Sequence, residues 1–554
     1  MAKKKLEVSD RWRKLKDKTW FEILEDVCSE RPEHEAIVFK DERITYLELK
    51  ERVIKLAKGL HAIGLRRGDH VAIWMTNRPE YIIARFAIYK IGAVMVTIST
   101  RYGANDLEFV LNHCDARAMI MEDKFLGNIE SLNMLRGLCP ELDTAPPGGL
   151  ISEKFPFLRS VICADDKFNG CFSWLEVEDK GNSISDKEID AATSPDDIAH
   201  MLYTSGTTGF PKGVMMYHSN SIIMNAIFAD VHNLEPEDRY LDVPPLFGNI
   251  GLSCYTSSMI VGMTVVFTER FDPKGMAEIL EKEKIGHTMF IPTMLVDLMA
   301  LPDIDKYDLS LLKYAVVGGA YVPPDLIVEA NEKLGIECIN AYGLVEASGL
   351  STGVPAGDTP EHLTQTVGLP FPSCELTIRD VDTNEEVPLG QEGEICTKEV
   401  FPGSQWSKGY YKQPDLTEEL FKDGWCHSGD LGVMDAEGYV RITGRAKEMF
   451  TVGGFNVSPP EIEKYLRNHP KIEDVAVAGI PDKRLGEIGA AFVRLEKGQT
   501  ATTEEIIDFC KGQITDVKIP KHVFFVKEFP LSHQFKVQKF KLREMAIKEL
   551  GLEE

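Results

Sequence analysis

The chain has 554 residues, 44% of them hydrophobic and 27% charged, with a formal net charge of −25 at pH 7. That length exceeds one ordinary domain and predicts two to four lobes, each with its own core. So acidic a chain argues against sequence-independent nucleic-acid binding, and no apolar run reaches the roughly 20 residues that span a bilayer. The basic start, MAKKKLEVSDRW, has no apolar segment behind it, so no secretory signal is expected. Eleven cysteines, an odd number without a C-x-x-C pair, argue against a disulfide framework or structural zinc and fit reduced thiols in the cytoplasm.

In chain order, Thr45 and Glu48 form a capping-box pattern ahead of a helix whose apolar face includes Leu47, Leu56 and Leu60. Val71–Trp74, Pro79–Lys90 and Ala93–Ile98 read as strand, helix and strand, a β-α-β unit. Ile198–Tyr203 and Gly213–Tyr217 read as strands entering and leaving a loop. Met263–Thr268, Thr288–Ile291 and Tyr314–Val317 are further strands, with helices such as Met276–Glu283 between them. Near-continuous apolar strands alternating with helices predict an α/β sandwich on largely parallel sheets. Gly368–Gly393 reads as short β-strands and turns, and Gly438–Gly444 closes the large lobe. Beyond a boundary near Arg445–Lys447 follow a helix at Ile462–Arg467, strands at Val475–Gly479 and Ala490–Leu495, and a helix at Thr503–Lys511.

The loop between the first pair of strands belongs to Tyr203–Gly213, YTSGTTGFPKG. Thr204, Ser205, Thr207 and Thr208 offer hydroxyls. Gly206, Gly209 and Gly213 let backbone N–H groups approach an anion, and Lys212 adds a cation. The composition suits phosphate, but the order is neither that of a P-loop nor that of a dinucleotide fingerprint. In Asn340–Glu346, Tyr342 beside Gly343 can flank a flat base and Glu346 can hold Mg²⁺, although Tyr-Gly also marks turns. In Gly424–Gly432, Asp430 sits between glycines in a turn-like setting. There it can accept ribose hydroxyls or form an Asx-turn, and His427 fits a structural or pocket-edge role as well as a catalytic one. Arg445 can reach a ribose or phosphate, and Gly453 and Gly454 admit a thin ligand arm. Pro459 and Pro460 start a helix with Glu461 and Glu463 at its positive end. The basic run Phe535–Arg543 reads as a solvated helix face, or as one lysine that swings onto a nucleotide.

As an ordered set these motifs resemble the adenylate-forming superfamily of acyl-CoA synthetases, peptide-synthetase adenylation domains and luciferases. GGFNVSPPEIE and KVQKFKLRE look most like stand-alone acyl-CoA ligases. The resemblance covers most of the chain. It implies a large N-terminal domain, residues 1–446, of two α/β subdomains plus a small β-barrel, and a small mobile α+β C-terminal domain, residues 447–554. It implies that Thr204, Ser205, Gly206, Thr207, Thr208 and Lys212 hold phosphates, and that Gly318, Gly319 and Ala320 line the nucleotide and acyl pocket. Tyr342 and Gly343 lie against adenine, Glu346 binds Mg²⁺, and Asp430 and Arg445 hold ribose. Lys447 is the hinge, the Gly453–Gly454–Phe455 loop approaches the site in the second step, and Lys536 is the adenylating lysine, catalytic together with Thr204 and Glu346. The acid falls to Phe247, Gly248, Ile250, Cys254, Val317 and Ala341.

The implied activity joins a carboxylic acid to coenzyme A through an acyl-adenylate, using ATP and Mg²⁺ and releasing pyrophosphate, then AMP. A cytoplasmic monomer or homodimer in fatty-acid and lipid metabolism is expected. The apolar pocket, with Gly248 removing bulk at its rim, favours a medium- or long-chain aliphatic acid or a ring-bearing one. Three positions depart from the family pattern: Val345 in place of threonine, Gly248 in place of histidine and Phe535 in place of glycine. The alternatives are transfer to a carrier protein, luciferase-type oxidation, and a non-catalytic nucleotide-binding regulatory or interaction protein with a degenerate site. No carrier domain follows Glu554, which favours a free acceptor.

Overall fold

The computed structural model describes residues 4–552 except 126–128, 205–210, 319–321, 323, 382, 446–449, 458, 531–536 and 538. Of 444, 445, 456, 460, 464 and 540 only the backbone is described. Among these residues two large sheets form the bulk of the chain. In the seven-stranded sheet the order is Phe172–Ser173, Ser160–Cys163, Ala116–Met121, His70–Trp74, Val94–Thr97, Ile198–Thr204 and Lys212–Tyr217. Every neighbouring pair is parallel except the last, which is an antiparallel hairpin. The nine-stranded sheet has a parallel centre: Glu337–Tyr342, Tyr314–Val317, His287–Phe290, Arg239–Asp242, Thr264–Phe267 and Glu35–Phe39.

Parallel strands need cover on both faces, and the cores supply it. The largest core joins residues of both sheets, such as Ile73, Met95, Ile37 and Val265, to helices Trp20–Glu30, Tyr46–Ala62, Pro79–Lys90, His218–Val231 and Asn249–Val261. These helices form a middle layer, which explains why Pro79–Lys90 is buried almost all round. Separate cores on the outer faces pack Ala104–His113 and Ser131–Leu138 on one sheet, and Pro273–Lys282, Pro292–Met299 and Pro324–Leu334 on the other. The capping box at Thr45 and Glu48 is present. In the large lobe the strands expected from apolar runs fall within one or two residues of those observed, the ordinary uncertainty of element ends, whereas the expected Val475–Gly479 and Ala490–Leu495 extend to Ile472–Asp482 and Gly486–Leu495 because pairing continues beyond the apolar run.

Where a small barrel is implied, Cys374–Arg379, Gly393–Glu399, Cys426–Met434 and Val440–Arg445 form a four-stranded antiparallel sheet with its own small core. The proposed boundary near Arg445–Lys447 falls largely outside the described residues. From Phe450 onward a further sheet carries helices Pro459–Leu466 and Thr503–Cys510 on one face and Lys539–Leu550 on the other. The last of these helices corrects the solvated-face reading. Lys539 pairs with Glu463 at 2.8 Å, and Arg543 Nε donates to the Gly479 carbonyl at 3.0 Å, so these cations fasten the helix to the sheet. All eleven cysteines are buried thiols. Among the described residues no helix is long and apolar enough to cross a membrane.

One glycine sets how closely the middle layer packs. A Cβ on Gly59, inside Tyr46–Ala62, would stand 2.2 Å from the Val177 carbonyl oxygen. Gly59→Ala is expected to cost about 1–3 kcal/mol through overpacking, measured as a lowered thermal midpoint of the full chain.

Candidate active site

A cleft of about 1980 Å³ opens where the parallel strands end. Thr97, Ile291, Gly318 and Tyr342, at or just after the carboxyl ends of four strands, line it. This is the usual place for a ligand in an open α/β sheet. The four-stranded sheet and the C-terminal unit contribute the remaining walls, through Asp430, His427, Gly454 and Phe455.

The hairpin Ile198–Thr204/Lys212–Tyr217 presents the phosphate-type loop, with Thr204 opposite Lys212. Ser205, Gly206, Thr207 and Thr208 lie outside the described residues, as do Gly319, Ala320, Lys447, Phe535 and Lys536. Lys212 is buried, and its ammonium stands 4.7 Å from the centre of the Tyr410 ring. Tyr410 is held there by its backbone, which bridges to Val214, and by Tyr411 N donating to the Gly213 carbonyl at 2.8 Å. Its hydroxyl donates to Glu346 Oε1 at 2.8 Å. Burial and the neighbouring Glu346 push the phenol far above its usual range, so it stays a donor. One chain of contacts thus links the lysine of the loop to the carboxylate proposed to hold metal. Tyr410 is the residue that sequence reasoning missed. The signal was the pair Tyr410–Tyr411 in a polar loop.

Tyr342 is buried and donates to Asp430 Oδ2 at 2.8 Å. Asp430 does not sit in a turn. It lies within the strand Cys426–Met434, in register with Arg445. Gly429, at φ 72°, bends that strand so that the carboxylate enters the cleft wall. Of the four residues expected around a base and ribose, Tyr342 and Asp430 therefore meet, Gly343 follows Tyr342 in the cleft wall, and Arg445 is described by its backbone alone, in register with Asp430. Gly343 must be glycine, because a Cβ would stand 1.9 Å from the Gly349 carbonyl oxygen. His427 pairs through Nδ1 with Glu394 Oε2 at 2.8 Å at the edge of the cleft, with Cys396 beside it.

Phe247, Gly248, Ile250, Cys254 and Ala341 all line the cleft. Val317 does not. It is fully buried in the outer core, and its neighbour Val316 faces the cleft beside Met289. Side chains alternate along a strand, so a one-residue displacement moves the assignment to the other face of the sheet. Gly248 caps the helix Asn249–Val261, and a Cβ there meets only the Pro245 carbonyl oxygen at 3.4 Å. Asn77, also missed, clamps this segment by donating to the Pro244 carbonyl at 3.0 Å and accepting from Leu246 N at 2.8 Å.

The C-terminal unit reaches the cleft through a tight hairpin. Gly453 and Gly454 join Phe450–Val452 to Phe455–Val457 with φ of 53° and 84°. Two consecutive positive φ values are the signature of a primed two-residue turn. The tip is pressed against the large lobe. A Cβ on Gly454 would stand 2.6 Å from Ile291 Cγ2, and the Arg101 guanidinium lies 4.0 Å over the Phe455 ring. Lys518 of the C-terminal unit lies 2.7 Å from its own Glu461 and 3.4 Å from Asp106 of the large lobe. Arg484 grips Asp297 through two hydrogen bonds, at 3.1 and 2.9 Å.

A strand-end cleft of this kind, with a Gly/Thr-rich loop, a buried lysine and a tyrosine–aspartate pair, defines a nucleotide-dependent enzyme. Residues 24–411 match the model of the AMP-binding enzymes and residues 461–536 that of the AMP-binding enzyme C-terminal domain, and the chain belongs to this family of adenylate-forming enzymes related to acyl-CoA synthetases. It is 38% identical over 543 residues to YngI of Bacillus subtilis (strain 168), covering 96% of this chain and 97% of YngI. It is 35% identical to the mitochondrial medium-chain acyl-CoA ligase ACSF2 of Danio rerio, covering 97% of this chain and 90% of that protein. Two solved structures superpose over most of the chain. One is the o-succinylbenzoate CoA synthetase MenE of Bacillus subtilis, bound with a product analogue (TM-score 0.79, 25% identity, 95% of this chain and 98% of that one). The other is MatB of Rhodopseudomonas palustris, bound with ATP (TM-score 0.67, 26% identity, 96% and 99%).

The Tyr410 hydroxyl serves Glu346 and nothing in the apolar core. A hydrogen bond to a charged group contributes about 1.5–3 kcal/mol. Tyr410→Phe is therefore expected to lower acid-dependent pyrophosphate release by roughly tenfold to a hundredfold at limiting Mg²⁺. Added Mg²⁺ should recover part of the loss, read from metal titrations of the two proteins.

Proposed function

We propose that the protein is an ATP-dependent carboxylic acid:CoA ligase acting on a medium- or long-chain or ring-bearing acid. The observation that carries this reading is the Gly453–Gly454 tip docked in the cleft, with Phe455 under Arg101. That arrangement suits the step in which a thin thiol arm must pass close to backbone. The likeness in shape to a CoA synthetase bound with its product analogue supports the same reading. The medium-chain ligase among the relatives and the apolar lining at Phe247, Ile250 and Met289 support the acid class.

In the first step a carboxylate oxygen attacks the α-phosphorus of ATP, the bond to the bridging oxygen breaks and pyrophosphate leaves. Lys212 offsets the phosphate charge, while Tyr342 and Asp430 orient the nucleoside. Glu346 fits a hard cation. It lines the cleft, offers oxygen ligands, and has one oxygen steadied by Tyr410. Mg²⁺ held there would neutralise phosphate charge. Lys536 is assigned to the charge that develops on the α-phosphoryl group. In the second step the CoA thiolate attacks the acyl carbonyl and AMP leaves with the electron pair of the broken bond.

The two steps should separate by mutation. Lys536→Ala is expected to lower adenylation by about 10²–10³-fold and to spare thioester formation from supplied acyl-adenylate. Asp106→Asn removes only the large-lobe charge that meets Lys518. It should slow thioester formation by about tenfold and spare pyrophosphate release. Pyrophosphate and acyl-CoA, measured across acetate, octanoate, palmitate and benzoate with and without CoA, test the whole reading. Release without any acyl-CoA product would overturn the thiol acceptor, and equal loss of both steps in either variant would overturn the division of roles.

A further inference from the structure

The face of the nine-stranded sheet that borders the acyl region carries a polar group the mechanism does not use. Along Arg239–Asp242, Leu241 points into the outer core, while Tyr240 packs on the opposite face with Cys254, Met289 and Val316. By alternation Asp242 shares the face of Tyr240. Tyr240 is in register with His287 and Leu241 with Thr288, so Asp242 comes beside Met289. Asp242 is fully buried, and neither of its carboxylate oxygens has a hydrogen-bond partner among the described residues. The Tyr240 hydroxyl is buried too. It lies against the Cys254 thiol, a weak partner, and has no other among the described residues.

Native interiors seldom leave a carboxyl unmet. Burial pushes the pKa of Asp242 well above the usual carboxylate range, which favours the protonated form, with a proton to donate as well as a carbonyl that accepts. Register and packing place Cys254 and Met289 on the same face as Asp242. Cys254 and Met289 both line the cleft, and their sulfur atoms lie 3.6 Å apart. Met289 is unbranched, with three rotatable bonds, so it can turn aside at low cost.

We propose that the acyl chamber recognises an acid whose chain carries a hydroxyl or amino group, which Asp242 and Tyr240 bind once Met289 turns aside. The proposal rests on the ligase reading above and narrows its substrate class. Purely apolar pockets discriminate weakly against an added hydroxyl, whereas a site built on buried polar groups rejects the analogue that leaves them unpaired.

The test uses the full chain and acids of six to twelve carbons, each plain, ω-hydroxylated or ω-aminated. Wild type, Asp242→Leu, Asp242→Asn and Tyr240→Phe are compared. Pyrophosphate release should favour the hydroxylated or aminated acid over the plain one by at least about tenfold in kcat/KM at the best length. Asp242→Leu should erase or reverse that ratio, and Asp242→Asn should keep it for the hydroxylated acid. Thermal shift by the same acids without ATP is a second readout, independent of turnover. There the donor-bearing acid should raise the midpoint of wild type more than that of Asp242→Leu. Turnover that favours plain acids, with a ratio Asp242→Leu leaves unchanged, would overturn the pocket proposal and leave the ligase reading standing. No turnover with any acid, but the expected thermal pattern, would overturn the ligase reading and keep the pocket. No turnover and no acid-specific shift would overturn both.

Discussion

The Tyr410 side chain is the constraint on which the site's geometry rests. Its ring faces Lys212, its hydroxyl holds Glu346, and its backbone bridges to Val214. Lys212 belongs to the seven-stranded sheet, whereas Glu346 follows the last parallel strand of the nine-stranded one. The two sheets are otherwise joined mainly through the middle helices, which fix separation but not the fine register of the strand ends. A short hydrogen bond and a cation over an aromatic face set that register where phosphate charge must be met. Because Lys212 and Tyr410 are buried and Glu346 is partly so, both contacts act more strongly than the same groups would at the open surface.

The small C-terminal unit is held differently. Among the described residues its contacts with the large lobe include the charged groups Lys518 with Asp106, Arg484 with Asp297, and Arg101 over Phe455, beside the Gly454 tip on Ile291. Its apolar residues are largely spent on its own two cores. An interface of this kind specifies one seating without making it permanent. The partly exposed Arg484–Asp297 pair contributes little net stability, and the buried Lys518–Asp106 pair sets its Coulomb gain against the cost of desolvation, yet each demands a particular geometry. That combination would suit the mobile C-terminal unit that the family resemblance implies.

Much of this was legible in the residues. Apolar strands, the capping box at Thr45 and the order of the glycine-rich motifs identified both the α/β architecture and the family, because those features depend on local pattern. What depended on tertiary placement was lost. Val317 was taken for Val316, since nothing in VVGG says which valine faces the cleft. Asp430 looked like a turn residue because glycines surround it, whereas a bulge in a paired strand is what aims it. Lys539 and Arg543 looked solvated because their partners, Glu463 and the Gly479 carbonyl, lie far away in the chain. Tyr410 and Asn77 act through contacts with residues far away in the chain, and beyond the Tyr410–Tyr411 pair nothing local marks them. Asp242 went unnoticed within a strand that reads as apolar.

The burial of every cysteine has a practical side. Thiols react as thiolates and only when reagents reach them, so a native chain with eleven buried sulfhydryls presents almost nothing to an alkylating reagent. The cysteines are also spread across separate structural bodies: Cys139 and Cys163 in the core on the outer face of the first sheet, Cys254 by the acyl chamber, Cys338 in the second outer core, and Cys510 in the C-terminal unit. Each body thus carries its own latent chemical clock. The order in which these sulfurs become labelled would record which part of the molecule opens first, without a probe ever being attached.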